Sequence, residues 1–163
     1  VKIRKKGEVK EYTGREFSSL MARPFGVFCY SHSRLIKKSL FSPFSFPENM
    51  IFEDVVVMPW VVNGSEKVVL DTRLTYAYRI NKKGLSHSPF SSSSLFEMDA
   101  YLFNIKKALE KGERKISLYS SIFFLTKYYY YFFKVLLSPL STKDYIEKYK
   151  EGARLSWSTL FHK

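Results

Sequence analysis

The sequence predicts an α/β fold: part of a mixed-sheet domain over residues 1–91, then a helical extension over residues 92–163. Three observations lead there. Two β-rich stretches, Lys67 to Thr72 and Arg73 to Arg79, read as short strands. A serine-rich, polar stretch from Ile80 to Ser94 marks a boundary. Beyond it, Leu95, Met98, Leu102, Ile105 and Leu109 recur at helical spacing.

Residues 1–12 alternate charged and apolar side chains around Gly7, as a short hairpin or frayed strand would. Thr13 stands three residues before Glu16, the spacing of a capping box, and Phe17, Leu20 and Met21 share the face of the helix it starts. Ser31 or Ser33 is placed to cap a second short helix that packs Leu35, Ile36 and Leu40 inward, and residues 42–49, with two prolines, form a loop. After Glu53 the signals conflict. Val55, Val56 and Val57 favour a strand, whereas Asn63-Gly64 is a good helix stop. A helix is expected, kinked near Pro59, which removes one backbone donor. In the extension, Ser94 caps a helix that Gly112 ends. Ile116 to Leu137 makes a second, aromatic helix closed by Pro139, and Asp144 to Arg154, ending in Trp157 and Phe161, reads as a third helix or a partly ordered tail. The second approaches the roughly 20 residues of a membrane span. Lys127, Lys134 and four central tyrosines argue against spanning and favour burial, or a position in the membrane interface.

Composition bounds the partners. At 163 residues with 45% hydrophobic content, the chain is long and apolar enough for a packed core. Twelve tyrosines and fifteen phenylalanines supply large contact areas, most of them expected in the core. A single Cys29 excludes an internal disulfide and suits a reducing cytosol. The formal charge of +12 attracts polyanions. Zinc-finger spacing, RNP-like strands and helix-turn-helix signatures are all missing, so nucleic acid is not expected as a partner. An anionic membrane surface fits better, with lysines continuing through the aromatic helices. The start is basic without a continuous apolar core, so no secretion signal is expected.

One constellation carries chemistry. Cys29-Tyr30-Ser31-His32-Ser33-Arg34-Leu35-Ile36 and Phe44-Ser45-Phe46-Pro47-Glu48-Asn49-Met50 lead to Ile51-Phe52-Glu53-Asp54. The apolar run to Val62 and then Leu74-Thr75-Tyr76-Ala77-Tyr78-Arg79 follow. Over roughly residues 10–90 that order resembles the acceptor half of family 2 glycosyltransferases, enzymes of the GT-A fold. The resemblance implies the C-terminal half of a GT-A-like mixed-sheet domain. Its reaction would be sugar transfer from a nucleotide-sugar donor to an acceptor hydroxyl, with inversion, in surface polysaccharide or glycolipid assembly. By that resemblance Asp54 is the catalytic base and Glu53 an orienting group. Read alone, the two acids suit the first turn of a helix, where the helix dipole favours them. The loop after the Tyr-Arg strand would fold over the donor. Arg79, Lys82, Lys83 and His87 are candidates there to bind its diphosphate, against the plainer reading of a linker. His87 has a further alternative as a metal ligand.

The sequence also departs from the family. No Asp-x-Asp is present to hold the Mg²⁺ or Mn²⁺ of the full-length enzyme, and no Gly-rich phosphate loop occurs. The chain therefore reads as a fragment lacking the donor and metal half, without a metal site and inactive by itself. Expected partners are a nucleotide sugar, a carbohydrate or lipid-linked acceptor and possible contact with an anionic membrane. The expected location is cytoplasmic, peripheral on the inner face of the membrane. The alternative is a non-enzymatic basic helical module docking on membranes or partner proteins through residues 95–163.

Overall fold

The computed structural model describes residues 7–23, 29–73, 76–77, 79, 81, 84 and 89–161. Helix takes up 61% of them. Five α-helices run Gly14–Ala22 (α1), Glu53–Asn63 (α2), Phe96–Glu110 (α3), Arg114–Leu136 (α4) and Thr142–Phe161 (α5). Among the described residues the sheet has two strands, Val9–Tyr12 (β1) and Val68–Asp71 (β2), antiparallel with Val9 opposite Asp71 and Tyr12 opposite Val68.

The expected α/β fold with a GT-A-like mixed sheet is overturned by this helix-dominated architecture. Two local causes keep the sheet small. The valines after Asp54 enter a helix instead of a strand. Past β2 the chain turns: the Asp71 carboxylate accepts the Arg73 N–H at 2.9 Å and pairs with its guanidinium. The described residues of the expected second strand, Arg73, Tyr76, Ala77 and Arg79, lie outside regular structure. β1 also finds its partner more than fifty residues away rather than in a local hairpin.

Thr13 caps α1 as its spacing predicts. Its hydroxyl accepts the Glu16 N–H at 3.2 Å, and the Glu16 carboxylate accepts the Thr13 N–H at 2.9 Å. Phe17 and Met21 then bury against Met58 and Val62 of α2. Gly14 is needed at this junction, because a Cβ there would collide with the backbone carbonyls of Val62 and Ser65. The short helix expected after Ser31 is instead one 3₁₀ turn, Lys38–Phe41. Ser33 takes a left-handed φ of 62°, and the Arg34 side chain bonds back to the Tyr30 carbonyl at 2.6 Å. Leu35 is left fully exposed, contrary to the packing expected of it.

Burial decides the conflict in α2, whose residues Val57 to Val62 are all buried. Tertiary packing overrides the strand preference of valine. The helix runs through Pro59, which cannot donate to the Val55 carbonyl four residues back. Asn104 of α3 supplies the missing donor: its amide nitrogen reaches the Val55 carbonyl at 2.8 Å, and its amide oxygen accepts the Trp60 indole N–H at 2.7 Å. One side chain thus repairs the proline and satisfies a buried indole. Asn104→Leu is expected to lower stability by about 2 kcal/mol, the cost of two partners left unsatisfied. A urea midpoint that falls at constant slope would show it; an unchanged midpoint would mean water replaces the amide.

The extension forms an antiparallel three-helix unit. Ser91, not Ser94, caps it, leading a 3₁₀ turn (Ser92–Leu95) into α3. Gly112, at φ +67°, closes α3, with the Glu113 N–H returning to the Ala108 carbonyl at 2.8 Å. Met98 and Ile105 face inward as spaced, but Leu109 is 47% exposed and Ala108 takes the inner position. Phe124, Tyr131, Val135, Tyr145 and Tyr149 complete the core. Gly152 admits the Phe124 ring, whose Cζ would stand 2.5 Å from an added Cβ. A further cluster of Ala22, Trp60, Ala108 and Ile116 ties α1 and α2 to α3 and α4. No helix among the described residues is long and apolar enough to cross a membrane.

Candidate functional site

Glu53 and Asp54 open α2, both half-buried. The turn that delivers them is strained: Phe52, immediately before, sits in the left-handed region at φ 69°, ψ 27°, and Asn49 at φ 57°. Such conformations in non-glycine residues persist only where surrounding packing enforces them. Here they end the loop abruptly and turn the first helical residue inward. The Asp54 carboxylate accepts the Val55 N–H at 2.8 Å. Burial raises its pKa above the usual carboxylate value. That hydrogen bond opposes the rise, the neighbouring Glu53 charge adds to it, and His32 counters it.

Segment 29–34 closes over this helix start. The Cys29 thiol is pushed up to about 12, first by burial and then by the Asp54 charge. Burial lowers the Arg34 guanidinium, with Cys29 and Asp54 opposing. The His32 ring is stacked between Tyr30, at 4.9 Å and 18°, and Tyr76, at 4.8 Å and 14°. Tyr76 belongs to the Tyr-x-Tyr-Arg segment. Cys29, His32 and Arg34 thus lie within electrostatic reach of Asp54, and Tyr76 joins them by stacking on His32.

A second polar centre lies behind it. Glu97, almost fully buried on α3, accepts the Tyr131 hydroxyl at 2.6 Å and pairs with Lys127 at 2.9 Å. Burial, then the Glu97 charge, holds the Tyr101 phenol far above its ordinary value, and Cys29 and Asp54 act in the same direction. Tyr101 thus stands between the two carboxylates. Glu97, Tyr101 and Asn104 follow one another at i, i+4 and i+7 on α3. That run of polar groups beside an apolar stripe was the available sequence signal for a site on this face, and it went unread.

Of the residues predicted from sequence, Glu53 and Asp54 come together by adjacency. Arg79 is exposed in the irregular stretch after β2. Lys82, Lys83 and His87 lie outside the described residues. Successive helical side chains diverge by about 100°, so Glu53 and Asp54 do not converge on one point. Among the described residues no group of three or more His, Cys, Asp or Glu can hold a metal ion. The divalent cation implied by the resemblance finds no ligand set in them, and no step below runs through it.

No known protein family, curated protein or solved structure matches the chain. Function therefore rests on the residues themselves. A half-buried carboxyl with a raised pKa, in electrostatic reach of the His32 ring that Tyr30 and Tyr76 sandwich, can accept a proton from a hydroxyl brought within hydrogen-bond reach.

Proposed function

We propose that this chain carries the acceptor side of an inverting nucleotide-sugar glycosyltransferase, with Asp54 as its general base. The observation that supports this best is the burial that raises the Asp54 pKa, with Cys29, His32 and Arg34 within electrostatic reach and Tyr76 stacked on His32. In the step, the acceptor oxygen bonds to the anomeric carbon as the bond from that carbon to the nucleoside diphosphate breaks. The acceptor proton passes to the Asp54 carboxylate, and the diphosphate leaves with the electron pair. Glu53 helps keep the Asp54 carboxyl basic through like charge. The donor half would come from chain outside these 163 residues, and Arg79, with Lys82, Lys83 and His87, would meet the leaving diphosphate. The work would be done in the cytoplasm, against the inner face of the membrane. Transfer from nucleotide sugars to a panel of acceptor glycans by the complete protein tests the reading. Absence of transfer, or transfer that survives Asp54→Asn, overturns it.

A second reading, a non-enzymatic basic module that docks on an anionic membrane, is favoured by a different feature. Lys150, Arg154, Trp157 and Phe161 line one stripe of α5 and face Tyr129 of α4 across a groove of ≈ 640 Å³. Trp157 and Phe161 stack at 5.0 Å yet remain 45% and 69% exposed. Such an aromatic and cationic surface suits the headgroup boundary of a bilayer. Membrane docking is compatible with either reading; absence of transfer activity would leave the non-enzymatic one alone.

A further inference from the structure

A cleft of ≈ 560 Å³ separates α4 from the turn that delivers Asp54. Its α4 wall is one helical stripe, Lys127, Tyr130, Tyr131 and Lys134, spaced i, i+3, i+4 and i+7. Ile51 and Phe52, directly ahead of Glu53-Asp54, line another side, and the hydroxyl-bearing Ser91, Ser93, Ser94 and Thr126 contribute to the rim. The charges here are unequal. Lys127 is neutralised by Glu97 at 2.9 Å, itself held by the Tyr131 hydroxyl. Lys134 has the Tyr130 ring at 5.7 Å and no carboxylate partner among the described residues. One ammonium is therefore left over, fixed beside aromatic faces and hydroxyl groups. The size matches a small polar ligand rather than a protein segment.

We propose that this cleft binds a phosphate group carried by the acceptor, with Lys134 as its principal cation and the serine hydroxyls as further donors. The inference rests on the reading of Asp54 as base in one respect. The cleft borders Ile51-Phe52, so a ligand anchored there by its phosphate extends its sugar hydroxyls toward the start of α2. Phosphate recognition itself needs only the cleft. A cation paired with neutral donors is the usual chemistry for an ester phosphate, and Lys127 with Glu97 sets the position of the tyrosine faces without adding net charge.

Isothermal titration of the complete protein with pyrophosphate, in low salt, gives the test. Saturable binding is expected at a Lys134-dependent site, over and above any at the proposed donor-diphosphate residues Arg79, Lys82, Lys83 and His87. Lys134→Ala should weaken it about tenfold, whereas Lys150→Ala, on the outer stripe of α5, should leave it unchanged. Absence of saturable binding, or equal losses from the two variants, overturns the proposal, since either result means diffuse charge only. Asp54→Asn should bind pyrophosphate normally, so a failed transferase reading and a failed phosphate site give different results. Competition by a soluble hexose phosphate against a prenyl diphosphate then tells which source the phosphate has. Displacement by neither overturns the link to an acceptor.

Discussion

Asp54→Asn is expected to cut sugar transfer by the complete protein by about 10²–10⁴-fold, the usual loss when a positioned base is removed. Donor binding should survive, because on the proposed reading Asp54 serves the acceptor side only. The same substitution carries a stability signature that an ordinary surface acid lacks. Burial raises the Asp54 pKa, so the native state holds that proton more tightly than the unfolded chain does. The contribution is fully present below the unfolded pKa of about 3.9 and is lost as pH rises through the native value. At neutral pH, the ionised carboxylate therefore opposes folding. Asparagine keeps an oxygen for the Val55 N–H and carries no charge. The variant should match or exceed the wild type at pH 7, by at most about 1 kcal/mol after allowing for the half-exposed setting. That advantage should disappear near pH 3.5. Urea unfolding at the two pH values, alongside the transfer assay, reads both effects. A variant that is less stable at pH 7, with transfer intact, would make Asp54 a helix-capping acid and nothing more.

Such a trade of stability for function was partly legible in the sequence. The Glu-Asp pair, the Thr13-x-x-Glu16 box and the Gly112 stop are local signals, and local hydrogen bonds realise the latter two. The size of the sheet was not legible. Val55, Val56 and Val57 carry strand propensity, and only burial of the α2 surface between α1 and α3 turns them helical. Pro59 reads in the sequence as an unrepaired gap in the helix ladder, because the donor that compensates it, Asn104, lies 45 residues further along the chain. Glu97 belongs to the same class. An acid within an amphipathic helix reads as solvated until Tyr131 and Lys127 arrive from another helix to hold it. Lys107 behaves likewise: a lysine on a helix suits solvent, yet its ammonium lies over the rings of Phe44 and Trp60 at 4.4 and 4.9 Å. Burial accordingly lowers its pKa. Residues whose role is fixed by long-range partners are the ones that periodicity and short motifs cannot assign.

Binding to anionic vesicles, lost in high salt, is the expected behaviour of the α4–α5 face. The large apolar and aromatic side chains between Phe124 and Leu137 divide into two sets. Phe124 and Tyr131 are buried and Tyr128 packs against that core, whereas Tyr129, Phe133, Leu136 and Leu137 face outward, at spacings that keep them on neighbouring turns. The inner set accounts for the helical core, so the outer set is not needed to explain folding. Trp157 and Phe161 of α5 extend it, with Lys150 and Arg154 alongside. Tyrosine and tryptophan favour the headgroup boundary, and each basic group near an anionic leaflet contributes roughly 1 kcal/mol. Lys127 and Lys107 are engaged inside the protein and contribute little, which concentrates the effect on α5. Reversing both charges, Lys150→Glu with Arg154→Glu, should therefore weaken flotation with phosphatidylserine vesicles by at least about thirtyfold in low salt. Trp157→Ser with Phe161→Ser should weaken it by a similar factor at every salt concentration low enough for binding to persist, since burial of apolar surface is not screened. Neutral vesicles should recruit none of these proteins. Wild-type protein that stays unbound to anionic vesicles in low salt would remove the membrane from both functional readings and leave this face as solvated surface.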